Sequence, residues 1–223
     1  MFNDIAFRYD FLNRFLSAGI DVRWRKKAIK QLLSIKPKII LDVATGTADV
    51  AIMASGILKP DKITGIDISD GMLDFGRKKL QKLGLEKTIE LLNGDCETIN
   101  FKNESFEAVT VAFGVRNFEN LEKGLSEILR VLRPGGKLVV LEFSKPKSAF
   151  VKAIYNFYMK IITPNVGKIF SKNRHAYQYL DESIQQFPEG KNFTNILDNL
   201  GYTNTYTKPL SLGICSIYCG EKK

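Results

Sequence analysis

The residues best suited to chemistry lie where short apolar runs of the sequence end. The first run leads into residues 42–46, and Asp67 closes the second run 21 residues after Gly46. A glycine in such a turn lets the backbone approach a ligand closely, and the amides at the start of the following helix point towards it. A carboxylate at the end of the next strand can accept hydrogen bonds from both hydroxyls of a ribose. The pattern therefore predicts a nucleotide-type site, with Asp95 after a third run as a further acidic group.

The loop itself distinguishes between two kinds of nucleotide ligand. From Gly46 it reads Gly-Thr-Ala-Asp-Val-Ala, so the second glycine that admits a pyrophosphate in dinucleotide-binding proteins is missing. Asp42, just before the loop, would repel a pyrophosphate but would attract a cationic amino acid or a sulfonium group. We therefore expect S-adenosylmethionine (SAM) rather than a dinucleotide in this site.

Short β-branched runs alternate with helical patterns along most of the chain, which is typical of a parallel sheet covered by helices. The predicted strands span residues 39–43, 63–68, 89–92, 108–113, 138–143, 202–207 and 213–218. The last two are too close for a crossover helix, so we expect an antiparallel hairpin. A core-facing helix that stops at residues 133–136 is predicted from apolar residues at steps of three and four, namely Leu121, Leu125, Ile128, Leu129 and Leu132. The fold class is α/β.

The length and composition of the chain are typical of a single globular domain. The chain has 223 residues, of which 44% are hydrophobic and 26% charged, and this excludes a disordered, collagen-like or rod-like chain. The longest apolar run, residues 50–54, is far too short for a membrane span, and the N-terminus has no secretory signal pattern. The cysteines Cys96, Cys215 and Cys219 suit neither a disulfide framework nor a metal site. We therefore expect a cytoplasmic protein without a metal ion, in which Cys215 and Cys219 pack in the core.

Positive charge is concentrated in one part of the chain. The net charge is +9, and seven cations lie between Glu142 and Asp181, where there is no acidic residue. Aromatic and aliphatic residues recur there at helical spacing, within residues 150–162. We expect residues 145–185 to form a basic amphipathic insert that caps the substrate site and rests on an anionic membrane surface. The alternative for residues 145–185 is a helix that packs over the sheet with a solvated basic edge.

Residues 1–37 are expected to form a helical lid on the single domain, 1–223.

Several segments spread over essentially the whole chain share one recognisable pattern. They are residues 1–6 and 8–13, the loop at 41–49, Phe-Gly-Val-Arg-Asn-Phe at 113–118, Arg-Val-Leu-Arg-Pro-Gly-Gly at 130–136, Leu-Glu-Phe-Ser-Lys-Pro at 141–146, residues 176–184, and Gly213-Ile214. Together they resemble the menaquinone and ubiquinone biosynthesis C-methyltransferases. The glycine loop and the Pro-Gly-Gly turn are shared by class I SAM methyltransferases in general, whereas residues 113–118 and 177–184 are specific to the quinone branch.

The resemblance implies a Rossmann-like class I fold, with a seven-stranded, mostly parallel sheet, an antiparallel C-terminal hairpin and helices on both faces. It also implies that SAM donates a methyl group to a ring carbon of a quinol with a polyprenyl tail. By the same resemblance Thr47 lies at the cofactor loop, Asp67 at the ribose, and Asp95 with Cys96 at the adenine. The complete predicted cofactor-binding set is Asp42, Ala44, Gly46, Thr47, Asp67, Ile68, Met72, Asp95, Cys96 and Ala112.

Methyl transfer to carbon requires an electron-rich ring, which a quinol provides once a hydroxyl loses its proton. Arg116 and Asn117, after the fourth predicted strand, are predicted to bind and polarise a quinol oxygen, because a nearby cation lowers the pKa of a phenol. Tyr9 and His175 complete the predicted catalytic set, and His175 has an ordinary pKa that suits a base. The identity of the base stays open. The candidates besides His175 are Tyr9, Tyr177, Tyr179, Glu142 and a water ordered by Arg116.

Two positions depart from the pattern of the family. Ala48 takes the place of a loop glycine, and we expect its methyl group to narrow the loop. Ala112 takes the place of a serine, so a hydroxyl contact is missing.

The predicted function is C-methylation of demethylmenaquinol to menaquinol on the inner face of a bacterial membrane, with a polyprenyl quinol and the membrane surface as partners. The alternatives are methylation of the ubiquinone precursor 2-methoxy-6-polyprenyl-1,4-benzoquinol, methylation of another small acceptor or of RNA, and a SAM-binding scaffold without activity. A nucleic-acid partner is not expected, because the positive charge accompanies a hydrophobic helix. A homodimer is left open.

Overall fold

A seven-stranded sheet is the frame of the structure, a computed structural model in which residues 19–146 and 182–223 are described. The strands are β1 (Ile39–Val43), β2 (Lys62–Asp67), β3 (Ile89–Asn93), β4 (Phe106–Ala112), β5 (Leu132–Phe143), β6 (Tyr202–Leu210) and β7 (Cys215–Lys222). Their order in the sheet is β3-β2-β1-β4-β5-β7-β6, and β7 runs antiparallel to both of its neighbours while the other neighbouring strands are parallel. Strands β2 and β3 lie on one side of β1, and β4 and the later strands lie on the other side. Open parallel sheets bind ligands at such a switch point, here between β1 and β4.

The described helices precede or connect these strands, and two of them begin at a capping side chain. They are α1 (Asp21–Ile29), α2 (Asp49–Leu58), α3 (Asp70–Leu83), α4 (Leu121–Val131) and α5 (Lys191–Asn199), with short 3₁₀ turns at Lys30–Leu32, Val115–Asn117 and Ser211–Gly213. The Ser69 hydroxyl accepts the Met72 N–H at the start of α3, and the Asn120 amide oxygen accepts the Lys123 N–H at the start of α4. These caps satisfy backbone donors that the helices leave unpaired.

The sheet separates two hydrophobic clusters, because successive side chains of a strand point to opposite faces. Ile40 on β1 packs with Trp24 and Leu73, which come from α1 and α3. Its neighbour Leu41 packs with Leu125 from α4 and with residues of α5. Both faces of β1 are therefore covered, which fixes the position of the strand that leads into the predicted ligand loop.

All seven predicted strands and the C-terminal hairpin are confirmed, and the main difference lies at the start of β5. The sequence predicted a helix that stops at residues 133–136, but α4 ends at Val131 and β5 begins at Leu132. Leu132 pairs with Phe106, the next pair is Lys137 with Ala108, and the Pro-Gly-Gly turn forms the bulge between them. Within α4, Leu125 and Ile128 of the predicted apolar stripe are fully buried and Leu121 and Leu129 are half-buried, whereas the buried Leu132 belongs to β5. Cys215 and Cys219 are also buried, as predicted.

Several predictions concern residues outside the described ranges. The proposed lid, 1–37, is described only from residue 19, and the proposed cap, 145–185, only at residues 145–146 and 182–185. Within the described ranges, no helix is long and apolar enough to cross a membrane.

Ala48, directly before α2, combines a left-handed backbone with a buried side chain. Its φ is +66° and its side chain is fully buried in the cluster that contains residues of α1, α2 and α3. A left-handed conformation costs a residue with a Cβ roughly 1–2 kcal/mol. Burial of the methyl group offsets part of that cost, by about 0.8 kcal/mol.

Replacement of this alanine by glycine is expected to leave the free energy of unfolding unchanged or to raise it by up to about 1 kcal/mol. In the matched control Ala54→Gly, a buried helical alanine loses both its methyl group and its helix propensity, so we expect a loss of about 2 kcal/mol. Urea unfolding of the two variants measures the difference. Equal destabilisation by both changes would show that the backbone at Ala48 is not strained.

Candidate active site

A cavity opens at the carboxyl ends of β1, β2 and β4, beside the point where the strand order reverses. Its volume is about 920 Å³, counting the part that opens to solvent. The walls come from the loops after the first four strands, from the starts of α2 and α3, and from α1. The described lining residues are Arg25, Asp42, Ala44, Thr45, Gly46, Thr47, Asp49, Val50, Asp67, Ile68, Met72, Gly94, Cys96, Ala112, Phe113, Gly114, Asn117 and Phe118.

Asp42 places a buried carboxylate at the inner end of this cavity. Its Oδ1 accepts a hydrogen bond from the Thr110 hydroxyl at 2.5 Å, and its Oδ2 accepts one from the Thr45 hydroxyl at 2.6 Å. Burial raises the pKa of Asp42 from its ordinary 3.8 to about 6, although both hydroxyls act to lower it. The group is therefore mainly ionised at neutral pH and gives the cavity a negative charge that suits a cationic ligand.

Asp67, the last residue of β2, holds the glycine loop in place. Its Oδ2 accepts the Gly46 N–H and its Oδ1 accepts the Ser69 N–H, each at 2.9 Å. Gly46 has a φ of +56°, and a Cβ at this position would lie 3.4 Å from the methyl group of Met72. Burial raises the pKa of Asp67, while the backbone donors lower it. Each carboxylate oxygen keeps a second acceptor site, so Asp67 can also receive the hydroxyls of a ribose.

A lysine from the neighbouring helix holds the other half of the loop. Lys79 on α3 donates to the Thr47 hydroxyl at 2.7 Å and to Asp49 Oδ1 at 2.8 Å. Asp49 begins α2, where a negative charge is favourable because the helix N-terminus carries a partial positive charge. The Thr47 hydroxyl is therefore fixed at the cavity wall by an ion pair behind it.

The wall between β2 and β3 is mainly apolar. Ile68 has 67% of its surface exposed where it borders the cavity, and Met72 and Cys96 lie beside it. Burial raises the pKa of Cys96 to about 12, so its thiol stays neutral. Asp95 is exposed, its Oδ1 accepts the Glu97 N–H at 2.8 Å, and it is not among the described lining residues. This wall suits a flat apolar ring such as adenine.

The turn after β4 closes the cavity on the opposite side. Phe113 has a φ of +58°, and a Cβ added to Gly114 would lie 2.5 Å from the Cβ of Ala44. Only glycine permits this approach between the loops after β1 and β4. Asn117, at the end of the turn, lines the cavity.

Arg116, in the same turn, is engaged in a buried ion pair. Its Nη1 donates to Glu142 Oε1 at 2.7 Å and to the Phe113 carbonyl at 2.8 Å. The side chains of Arg116 and Glu142 are 5% and 0% exposed, and the guanidinium carbon lies 5.6 Å from the centre of the Phe143 ring. The guanidinium is thus held against β5, and Arg116 is not among the described lining residues.

The structure brings together most of the residues that the sequence predicted for the site. The predicted residues found in the lining are Asp42, Ala44, Gly46, Thr47, Asp67, Ile68, Met72, Cys96, Ala112 and Asn117. Tyr9 and His175, and with them Tyr177 and Tyr179, lie outside the described residues. The expected narrowing of the loop by Ala48 is not found, because its methyl group packs in the core and does not belong to the described lining.

Three charged residues of the site were missed by the sequence analysis. Arg25 lines the cavity, Lys79 fixes Thr47, and Glu142, considered only as a base, binds Arg116. The contacts of Lys79 and Glu142 join positions that are 32 and 26 residues apart, so no local pattern reveals them. A weak signal existed only for Arg25, which follows Asp21 by four residues on one helix face.

Solved structures share this architecture. A SAM-dependent methyltransferase of Aquifex aeolicus aligns with a TM-score of 0.60 at 19% identity and covers 86% of this chain and 88% of its own. A phosphoethanolamine N-methyltransferase of Haemonchus contortus, solved with S-adenosylhomocysteine, aligns with a TM-score of 0.62 at 13% identity and covers 83% of this chain and 48% of its own. The cavity fits SAM, because it combines a carboxylate for the ribose, a buried anion for a cationic group and an apolar wall. The fold and the site are those of a SAM-dependent methyltransferase.

Comparison of the whole sequence is more specific. The chain belongs to the ubiE/COQ5 methyltransferase family, whose model matches residues 1–222. It is 46% identical to the demethylmenaquinone methyltransferase of Bacteroides fragilis, over 100% of this chain and 91% of that protein. It is 44% identical to the ubiquinone/menaquinone biosynthesis C-methyltransferase UbiE of Geobacter sulfurreducens, over 100% of this chain and 87% of that protein.

SAM affinity is expected to fall as the pH drops through about 6, because protonation of Asp42 removes the negative charge that faces the cationic ligand. Well below that pH the fall approaches about tenfold per pH unit. Calorimetric titration with SAM between roughly pH 5 and pH 8 measures it. In Asp42→Asn we expect weak binding throughout and no step near this pH, and a step of unchanged size would assign the titration to another group.

The stability of the ligand-free protein should depend on Asp42 in the opposite sense. The pKa of Asp42 is about 6 in the folded protein, above its ordinary value of 3.8. Asp42 therefore contributes its full stabilisation below a pH of 3.8. This contribution is lost as the pH rises through about 6. Asp42→Asn should therefore melt at a higher temperature than the wild type at a pH of about 8, and at a similar temperature at a pH of about 4.

Asp67→Ala is expected to weaken SAM binding by about a hundredfold, because it removes the ribose acceptor and also the group that holds the Gly46 amide. Asp74→Ala is the matched control, since Asp74 is an exposed carboxylate on α3 that pairs with Arg77. Calorimetry with SAM measures both variants. Equal affinity of the two variants would contradict a ribose role for Asp67.

Proposed function

We propose that this chain transfers a methyl group from SAM to a ring carbon of demethylmenaquinol, giving menaquinol. The observation that supports this most strongly is the full-length similarity to demethylmenaquinone methyltransferases, which includes 40% identity to the Thermus thermophilus protein over 100% of both chains. The SAM-type cavity at the carboxyl end of the sheet is consistent with that reaction.

SAM supplies an electrophilic methyl group, and the ring carbon that accepts it loses a proton in exchange. Asp67, which is itself held by the Gly46 N–H, orients the ribose, while the Asp42 carboxylate attracts the positive charge of the ligand. Phe113 and Phe118 line the cavity near Asn117, so the acceptor ring would meet apolar surface there and water would be excluded.

Asn117 is the described residue that we place next to a quinol oxygen. It lines the cavity at the end of the turn after β4, and its side-chain amide can donate or accept a hydrogen bond. Arg116 precedes Asn117 in the same turn. Its guanidinium is held in place by Glu142 and by the Phe113 carbonyl. Because the buried Glu142 carboxylate balances the charge of Arg116, we propose that Arg116 acts by positioning this turn and Asn117 beside the quinol. The proposed base is one of the groups named above, of which Tyr9, His175, Tyr177 and Tyr179 lie outside the described residues.

The substrate's polyprenyl tail requires an apolar path or a membrane. We propose that residues 145–185 form the cap over this tail and contact anionic lipid, on the evidence of seven cations and the aromatic residues of that segment. Residues 1–37 are proposed as a helical lid. These roles rest on charge and spacing in the sequence.

Methylation of the ubiquinone precursor is a second candidate. It is favoured by one observation, the similarity to the Geobacter sulfurreducens protein whose name includes both quinones. The ring of this precursor also needs an electron-rich carbon, so the same residues would serve both reactions.

The deciding experiment supplies the purified protein with methyl-labelled SAM and one reduced acceptor at a time in lipid vesicles. The acceptors are demethylmenaquinol and 2-methoxy-6-polyprenyl-1,4-benzoquinol. We expect label in menaquinol. Label only in the benzoquinol product would select the second candidate, and SAM binding without label in either would support a binding protein without this activity.

Arg116→Ala is expected to lower turnover by about a hundredfold or more while the dissociation constant of SAM changes by less than about threefold. Loss of one partner of a buried ion pair is also destabilising, by about 3 kcal/mol, so the melting temperature must be measured beside activity. Arg133→Ala is a suitable control, because Arg133 pairs with Glu107 at the opposite end of β5. Normal turnover in Arg116→Ala would remove this residue from the mechanism.

A further inference from the structure

Arg25 is the one cationic side chain in the described lining of the cavity. It lies on α1, before the first strand, and only 6% of the residue is exposed. Trp24 fixes the helix in this position, since its indole N–H donates to the Ser211 hydroxyl at 2.8 Å and its ring packs against Phe113 and Phe143. A helix that precedes the sheet thus places a buried guanidinium beside the glycine loop.

The hydrogen bonds of Arg25 use only part of its guanidinium. Nη1 donates to Asp21 Oδ2 at 2.5 Å and lies 3.6 Å from Asp49 Oδ2. Nε is buried and has no hydrogen-bond partner among the residues that the structure describes. A buried donor without a partner is costly and uncommon, and because Arg25 lines the cavity, a ligand bound there can supply the missing acceptor. Nε and Nη2 form the edge of the guanidinium that binds a carboxylate with two parallel hydrogen bonds.

The position of Arg25 matches the end of SAM that is not yet accounted for. Asp67 fixes the ribose in the middle of the molecule, and the apolar wall of Ile68, Met72 and Cys96 suits the adenine on one side. The methionine part then extends the other way, towards Asp42 and the starts of the loops after β1 and β4. This part carries an ammonium group and a carboxylate, and Asp42 can attract only the ammonium.

The second anion near Arg25 is paired mainly with another cation. Asp49 contacts Lys79 at 2.8 Å, whereas it lies 3.6 Å from Arg25. The two cations, Arg25 and Lys79, balance the two carboxylates, Asp21 and Asp49, so a further anion would be held by the remaining hydrogen-bond donors of Arg25 and not by an excess of positive charge. The Arg25 guanidinium also lies 5.7 Å from the centre of the Phe113 ring, which orients its plane without consuming a donor.

We infer that Arg25 binds the α-carboxylate of the methionine part of SAM through its Nε and Nη2 donors. The inference rests on the proposed use of SAM and assigns a specificity role to α1, a helix that lies outside the sheet and its crossover helices. Asp21 acts as the positioning residue that holds the guanidinium towards the cavity.

The test compares ligands that share the adenosine part and differ in the amino acid part. S-adenosylhomocysteine carries it, the decarboxylated analogue of S-adenosylhomocysteine keeps the amine but lacks it, and 5′-methylthioadenosine lacks both groups. For the wild type we expect removal of the carboxylate to weaken binding by about tenfold to a hundredfold, the usual range for a hydrogen bond to a charged group. For Arg25→Gln we expect the two amine-containing ligands to bind within about threefold of each other.

Matched controls separate this role from a merely structural one. Lys26→Gln changes an exposed cation on the same helix and should retain the full preference for the carboxylate. Unchanged affinity of Arg25→Gln for 5′-methylthioadenosine would show that the adenosine site is intact. An Arg25→Gln protein that still prefers the carboxylate as strongly as the wild type overturns the inference.

A second measurement uses the unmodified protein, in case Arg25→Gln does not fold. The Nε–H resonance of Arg25 should shift when S-adenosylhomocysteine is added and should not shift with the decarboxylated analogue. Equal shifts with both ligands would overturn the inference. If the wild type bound none of the three ligands, the proposed use of SAM would fail instead, and the two failures are therefore distinguishable.

Discussion

The structure of the site depends on the carboxylate of Asp42, which is held at the centre of the sheet by two threonine hydroxyls. One hydroxyl comes from the loop after β1 and the other from β4, so the same carboxylate joins the ligand loop to the neighbouring strand. Burial makes its ionisation unfavourable and raises the pKa to about 6. A positively charged ligand relieves that cost. The protein thus maintains, in its ligand-free state, a negative charge that becomes favourable when the cavity is filled.

Backbone geometry around this carboxylate follows from the same requirement for close approach. Ala44, Gly46, Ala48 and Phe113 all have positive φ values between 53° and 66°. Such conformations cost energy in residues other than glycine and persist only where the surrounding structure enforces them. Here the Asp67 carboxylate binds the Gly46 amide, and the absence of a side chain at Gly114 lets the turn after β4 reach Ala44. The tight turns bring Ala44, Gly46 and Thr47 to the wall of the cavity.

Much of the fold could be predicted from the sequence, because local pattern determined it. Alternation of Ile40 and Leu41 between two cores, the caps at Ser69 and Asn120, and the spacing between Gly46 and Asp67 all act over short distances or through regular topology. Glu142 with Arg116 and Lys79 with Thr47 could not be predicted, because tertiary packing alone brings them together. The bulge at the start of β5 was missed for a related reason. Its Pro-Gly-Gly sequence indicates a turn, and only the pairing of Leu132 with Phe106 shows that the strand has already begun.

The charges of the cavity also bear on how the donor is bound relative to the product. The described lining has three carboxylates, Asp42, Asp49 and Asp67, against the single cation Arg25. SAM has one more positive charge than S-adenosylhomocysteine, because methyl transfer converts the sulfonium into a neutral thioether. An anionic lining in a partly buried site attracts the charged donor more strongly than the product, since Coulomb interactions are less screened there than in water. The carboxylate and ammonium of the methionine part are the same in both molecules, so Arg25 would hold donor and product alike. Discrimination between them must then come from Asp42 and its neighbours, whose field acts on the one atom that changes its charge.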